Sequence, residues 1–309
     1  MRSNSQILKR EHLMSAWARY NYVRGFAHLP FARCREYWGF KILHIKPQRV
    51  FTAEQSIFLE KLFPDKTQHQ KIMLSHTNLS QWSLSKMSPI TQDDEFEPAN
   101  IEQRAFAFPM SWKFCPTCCR EDRDKLGFSY WHRNHQLASV TRCDLHGDLL
   151  FTGPSLDTFD RLVLPHSLSE RERSELTSSD NSNTLNEWSA FIYSLNAITQ
   201  TNIDQINQWK RFLQDYICLP PRVQQKHVPG LVEKSSILAE ELGFEIMAHV
   251  FRDYGKDGAK EPRVLYRLFP GMTYRRSETH PIYWTLFLFW AYKNNLLKGF
   301  TICDYPNSK

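Results

Sequence analysis

The chain predicts a mainly α-helical protein, on three observations. Apolar residues recur with a helical period in its first and last thirds. Glycine is scarce, 11 in 309 residues, too few for an all-β sandwich or for phosphate-cradling loops. The cysteines also gather, with Cys115, Cys118, Cys119 and Cys143 all inside residues 114–151. The expected architecture is a basic helical N-terminal domain (1–104) and a small central module around the cysteines (105–166). A polar linker or mobile loop (167–187) and a helical C-terminal domain (188–309) follow.

Composition supports a folded chain with a substantial core. Hydrophobic residues make up 41% and aromatics 14%, so large rings carry much of the packing. No G-x-G-x-x-G or Walker-type G-K-[ST] is present, which removes classical dinucleotide and NTP binding. The net charge of +6 is unevenly spread. Residues 1–50 are rich in Lys and Arg and carry only Glu11 and Glu36 as acids, which makes this segment a candidate phosphate-facing or partner surface. Arg19, Arg24, Arg33, Arg35 and Lys41 are its candidate contact residues, with Trp38 beside them.

The N-terminal elements read as follows. Leu13, Trp17, Tyr20 and Val23 place a helix over 12–26, with Gly25 near its end. Residues 52–63 form a second, with Thr52 as N-cap and Pro64 beyond it, and 67–76 a third. Together they suggest a domain of the helix-turn-helix kind. An acidic, Pro-containing connector covers 88–103, and the Ser/Asn-rich stretch 167–187 is the clearest linker.

Beyond the linker, Trp188, Phe191, Ile192 and Leu195 open a helical pattern. Ile203, Ile206, Trp209, Leu213 and Tyr216 continue it until "LPPR" (219–222) stops it. Residues 236–255 superficially match a helix-turn-helix around Ala239 and Gly243. His249 and Arg252 fall where such a motif needs apolar packing, so ordinary packed helices are expected there. The most apolar run, "IYWTLFLFWAY" (282–292), is too short to cross a bilayer. No signal peptide opens the chain, so a soluble cytoplasmic protein without membrane contact is expected.

Cys115 and Cys118 form C-x2-C; Cys143 and His146 form C-x2-H. Each pair fits a tight turn offering two ligands, and two such turns complete a tetrahedron. Three thiolates and one imidazole suit Zn2+ in a filled structural site, which makes 105–166 a zinc-finger module. Cys119, His132 and His135 blur this assignment, as competing ligands or as hydrogen-bonded framework. "CPTC" invites a glutaredoxin-like reading, but "CREDRDKLGF" lacks the apolar stripe that site needs. A zinc deaminase needs an upstream H-x-E, and none is present. No catalytic role is expected.

The segment as a whole resembles the zinc-binding core of the TniQ/TnsD family, target-selection proteins of transposons. The resemblance rests on Cys115-Pro116-x-Cys118, Tyr130-Trp131-His132-Arg133, His135-Gln136-Leu137, Cys143-x-x-His146-Gly147 and Leu149-Leu150. Residues 10–26 are similar to the family's N-terminal helix, less tightly. The resemblance implies a non-enzymatic adaptor in DNA integration. It would link a CRISPR Cascade effector with guide RNA to the AAA+ ATPase TnsC and so to the transposase. A TnsD-type protein that binds its attachment-site DNA directly is the alternative. TnsD members usually carry a long C-terminal extension, so a TnsD-type protein would be represented here without that part; some CRISPR-linked members have a second Cys-rich ribbon, where this sequence has isolated Cys218 and Cys303. Family resemblance also makes a homodimer an expected state.

Overall fold

A computed structural model describes residues 7–25, 36–38, 53–85, 105–153, 163–176, 182–217, 230–259, 262–268 and 280–302. The acidic connector at 88–103, Thr52 and the "LPPR" stop lie outside these residues.

Helix α1 (Leu13–Val23) starts where His12 caps it, the imidazole Nδ1 accepting from the Met14 amide at 3.1 Å. Helix α2 (Ala53–Leu62) and helix α3 (His69–His76) match the second and third expected helices. Asp65 caps a short 3-10 turn ahead of α3 by accepting from the Thr67 amide. A single turn, α4 (Leu79–Trp82), follows directly. Leu13, Trp17, Phe58, Leu59, Met73 and Trp82 fill the core between these helices, joined by Trp38, whose indole donates to Asn21 Oδ1 at 3.0 Å.

Three two-residue strands form an antiparallel sheet in the order β1 (Lys113–Phe114), β2 (Phe151–Thr152), β3 (Ser174–Glu175). Phe151 opposes Phe114 on one side and Glu175 on the other. The expected linker at 167–187 is therefore largely built structure. Ser169 and Glu172 make a reciprocal capping box, β3 closes the sheet, and Leu168 and Leu176 are buried. From Ser182 the chain is already entering a helix, and 177–181 lies outside the described residues.

That helix is α6 (Asn183–Thr201), the label α5 belonging to the earlier helix Pro116–Leu126. Ser182 Oγ caps α6 by accepting from the Leu185 amide, and Trp188, Phe191, Ile192 and Leu195 face the core as the period requires. Asn202 caps α7 (Ile203–Tyr216) in turn. Tyr216 departs from the expected pattern: it is 52% exposed at the last turn, where α7 leaves the core.

Helices α8 (Leu231–Leu242) and α9 (Phe244–Val250) meet at Gly243, whose φ of +83° is open to glycine and costly for other residues. The second helix packs on α6 and α8 through Ile246, Met247 and Val250, and His249 Nε2 contacts the Ser139 carbonyl at 3.0 Å. These are packed helices, as expected. Helix α10 (Val264–Leu268) and helix α11 (Ile282–Lys293) complete the C-terminal part. Among the described residues no helix is long and apolar enough to cross a membrane. Helix α11 is apolar all round because other elements cover it: Ile282, Leu286, Phe287 and Phe289 are all buried.

The central segment is not packed as a separate module. Trp112, Phe114 and Trp131 belong to the N-terminal core, with Leu164 and Leu168. Cys115, Cys118, Leu137, Val140, Cys143 and Leu150 belong to the core of the C-terminal helices. Polar side chains join the two sides. Gln136 takes up both the N–H and the C=O of Lys113, and its own carbonyl accepts from Asn78. Lys113 is fully buried and donates to the Leu137 and Val140 carbonyls at 2.8 and 3.0 Å. Burial pulls its pKa down to about 7.

Candidate metal centre

Two local turns present the cysteines. Cys115 is the N-cap of α5, its Sγ accepting from the Cys118 amide at 3.5 Å, and Pro116 occupies the first helical turn, where a missing N–H costs nothing. One helical turn thus carries Cys115 and Cys118 on one face. The second turn is a knuckle. The Leu145 amide points at Cys143 Sγ at 3.3 Å, and Gly147, at φ +70°, returns its amide to the Cys143 carbonyl.

Donor atoms of Cys115, Cys118, Cys143 and His146 all lie within 4.8 Å of one another. Cys118 Sγ is 3.6 Å from Cys143 Sγ, and His146 Nδ1 is 3.6, 3.3 and 3.6 Å from the sulfurs of Cys115, Cys118 and Cys143. Ordinary zinc–sulfur and zinc–nitrogen bond lengths give tetrahedral edges of about 3.7 Å between sulfurs and about 3.6 Å from sulfur to nitrogen. The four distances above match those edges, so the donor set suits a tetrahedral ion.

Electrostatics point the same way. With protons alone the thiols compete. Hydrogen bonds from Cys118 and Cys143 drive the Cys115 pKa far down, while the bond to Cys115 pushes both of theirs far up. A divalent cation removes that conflict by favouring all three thiolates. Burial pulls the His146 pKa down, but the Cys115 thiolate and the Glu121 carboxylate outweigh it and raise it overall. Its Nε2 sits 3.1 Å from Glu121 Oε1, which orients Nδ1 toward the sulfurs.

Of the residues that blurred the sequence assignment, Cys119 turns away from the cluster, while His132 and His135 stay beside it. Cys119 packs against the N-terminal core, and burial pushes its pKa up to about 12. His132 is tied to Asp122 at 2.9 Å. His135 is fully buried behind Cys143, its Nε2 3.4 Å from that sulfur. Both rings also fall in candidate donor groups that share Cys118 or Cys143.

The candidate surface on the N-terminal segment changes more. Arg19 is buried, and its guanidinium clamps Glu11 through two 2.9 Å bonds, so it is a structural residue and not a contact residue. Arg24 is exposed and lies 5.1 Å over the Tyr20 ring. Trp38 is core. Arg33, Arg35 and Lys41, like Cys218 and Cys303, lie outside the described residues.

Comparison with protein families matches residues 5–150 to the TniQ family. Residues 5–150 thus form a TniQ domain, a little under half of the chain. The matched stretch holds α1 to α5, β1 and all four candidate ligands, ending at buried Leu150. Comparison with curated proteins gives no match. TniQ proteins are targeting adaptors that act with transposition proteins such as TnsC, and the domain assigns this chain a general role in transposon target selection.

Proposed function

We propose that this TniQ protein is a target-selection adaptor that links a CRISPR Cascade effector with guide RNA to the AAA+ ATPase TnsC, and so to the transposase. Its Cys/His centre is a structural zinc site held by Cys115, Cys118, Cys143 and His146. One observation carries the reading: four protein donors at tetrahedral spacing, inside a TniQ domain, leave no coordination position for a substrate. Bound there, zinc would supply folding energy and no chemistry. The burial of Arg19 favours the adaptor over a direct DNA reader, because it withdraws one cation from the basic N-terminal surface.

The test is co-purification of the tagged chain from cells expressing the neighbouring genes, with mass spectrometry, RNA digestion and metal analysis. Effector subunits with guide RNA, recovered with about one zinc per chain, support the proposal. Recovery of TnsC with one enriched duplex sequence and no effector overturns it in favour of a TnsD-type selector.

A further inference from the structure

His135 is fully enclosed next to the centre yet is not one of its four tetrahedral donors. Its Nε2 lies 3.4 Å from Cys143 Sγ and 3.8 Å from Asp144 Oδ1. Once Cys143 is a thiolate, both atoms are acceptors, so the proton of the neutral ring belongs on Nε2. Nδ1 has no hydrogen-bond partner among the described residues, and a proton there would be a buried donor without an acceptor, the costlier arrangement.

The ring is held in place by a stack. Tyr130 and His132 lie 4.4 Å apart with planes 5° from parallel, and His132 and His135 lie 4.9 Å apart at 17°. Asp122 anchors the middle ring through its 2.9 Å contact with His132 Nε2. Asp122 stands one turn beyond Cys118 on α5, so the helix that presents two sulfurs also fixes the imidazole behind the third.

Three thiolates and a neutral imidazole around a divalent ion leave a net charge of about −1 in a buried place. Amide donors from Cys118 and Leu145 offset part of it at Cys115 and Cys143. We propose that His135 is a positioning residue for the centre, donating Nε2–H to the Cys143 thiolate without binding the ion. That bond spreads the sulfur's charge, strengthens metal retention and protects the sulfur from electrophiles. This inference rests on the structural-zinc reading above.

The experiment uses the full chain as wild type, His135→Phe and His135→Gln, each loaded with Zn2+ or Co2+. In His135→Phe, zinc affinity measured by chelator competition is expected to fall about 10–100-fold. The thiolate-to-cobalt absorption should move to lower energy while the tetrahedral d–d bands keep their intensity. His135→Gln, which places an amide N–H near the lost Nε2–H, should recover most of both. A wild type that takes up neither metal defeats the zinc reading and this inference together. A wild type that binds with an unchanged His135→Phe defeats the inference alone. Collapse of the d–d bands overturns it too, because His135 would then be a ligand. If His135→Phe does not fold, wild type loaded with 113Cd and labelled with 15N decides. A proton on Nε2 coupled to cadmium through the Cys143 sulfur is expected; a proton on Nδ1, or direct coupling of Nε2 to cadmium, overturns it.

Discussion

Arg19→Met removes a guanidinium from a site that water does not reach. Glu11 is fully buried, and Arg19 Nε and NH2 meet its two carboxylate oxygens at 2.9 Å each. Without the guanidinium the carboxylate keeps, among the described residues, neutral donors, the Leu8 amide at 3.0 Å and the Ser15 hydroxyl at 3.4 Å. Breaking a buried pair from one side costs about 3–5 kcal/mol, because the surviving charge is stranded. Replacing both partners removes the stranded charge, so Glu11→Gln with Arg19→Met should recover about 2–3 kcal/mol of the summed single losses. Urea unfolding at fixed excess zinc, followed by near-UV circular dichroism of the buried tryptophans, measures the cycle. A single-variant loss below about 1 kcal/mol would be the value of a solvated surface pair and would refute the buried-pair argument.

Three further outcomes are expected. Cys118→Ser should abolish metal uptake measured by elemental analysis and loosen both cores together, since the ligand loops pack against each; a metal-free variant with wild-type near-UV signal would contradict this. Lys210 is buried with Nζ 2.6 Å from the Leu84 carbonyl, and burial lowers its pKa from 10.5 to about 7. Between those values the unfolded chain binds a proton that the folded chain does not, so stability should rise with pH across that window. Each unit of depression is worth about 1.4 kcal/mol, and Lys210→Met should make the rise in urea titrations between pH 7 and 10.5 shallower, leaving the share of Lys113. Ser182→Ala removes the cap of α6 and should cost about 1 kcal/mol by the same assay, with Ser182→Gly costing less.

Long periodic helices were legible in the sequence because burial of one face writes a period. The positions 188, 191, 192 and 195 are the buried face of α6. The convergence of the two Cys/His pairs was legible too, because a turn that aims two side chains at one point needs a fixed spacing. The sheet was not, since two residues per strand carry no alternation to read. Arg19 was misread because its partner lies outside the helix that carries it. Ser15 and Arg19 lie one turn apart on α1, but Glu11 precedes the helix cap and is held in a bridge with His132, so its pairing with Arg19 depends on the fold. The supposed linker held a readable capping box, Ser169 with Glu172, and two leucines whose burial depends on distant partners. His132 and His135 could not be sorted from sequence, because their distances to the sulfurs depend on the fold of the 130–143 loop.

The interleaving of the central segment bears on where this chain can be cut. The family match ends at residue 150, but that boundary is no seam in the packing. A fragment stopping there would lose Leu164 and Leu168 from the tryptophan-rich core, and with β2 and β3 gone the sheet itself. It would also bare Leu137, Val140 and Leu150, which the later helices cover. Thr141 would lose its contact with Ser189, and Ser139 its indole donor from Trp188. During synthesis the same arrangement makes the first half wait for the second: the cysteines and histidine can gather once residue 146 has emerged, yet the loop between them gains its roof only when α6 and α9 arrive. Expression trials of shortened versions should therefore keep the chain through α11, and swaps between relatives should exchange whole chains, not the matched stretch alone.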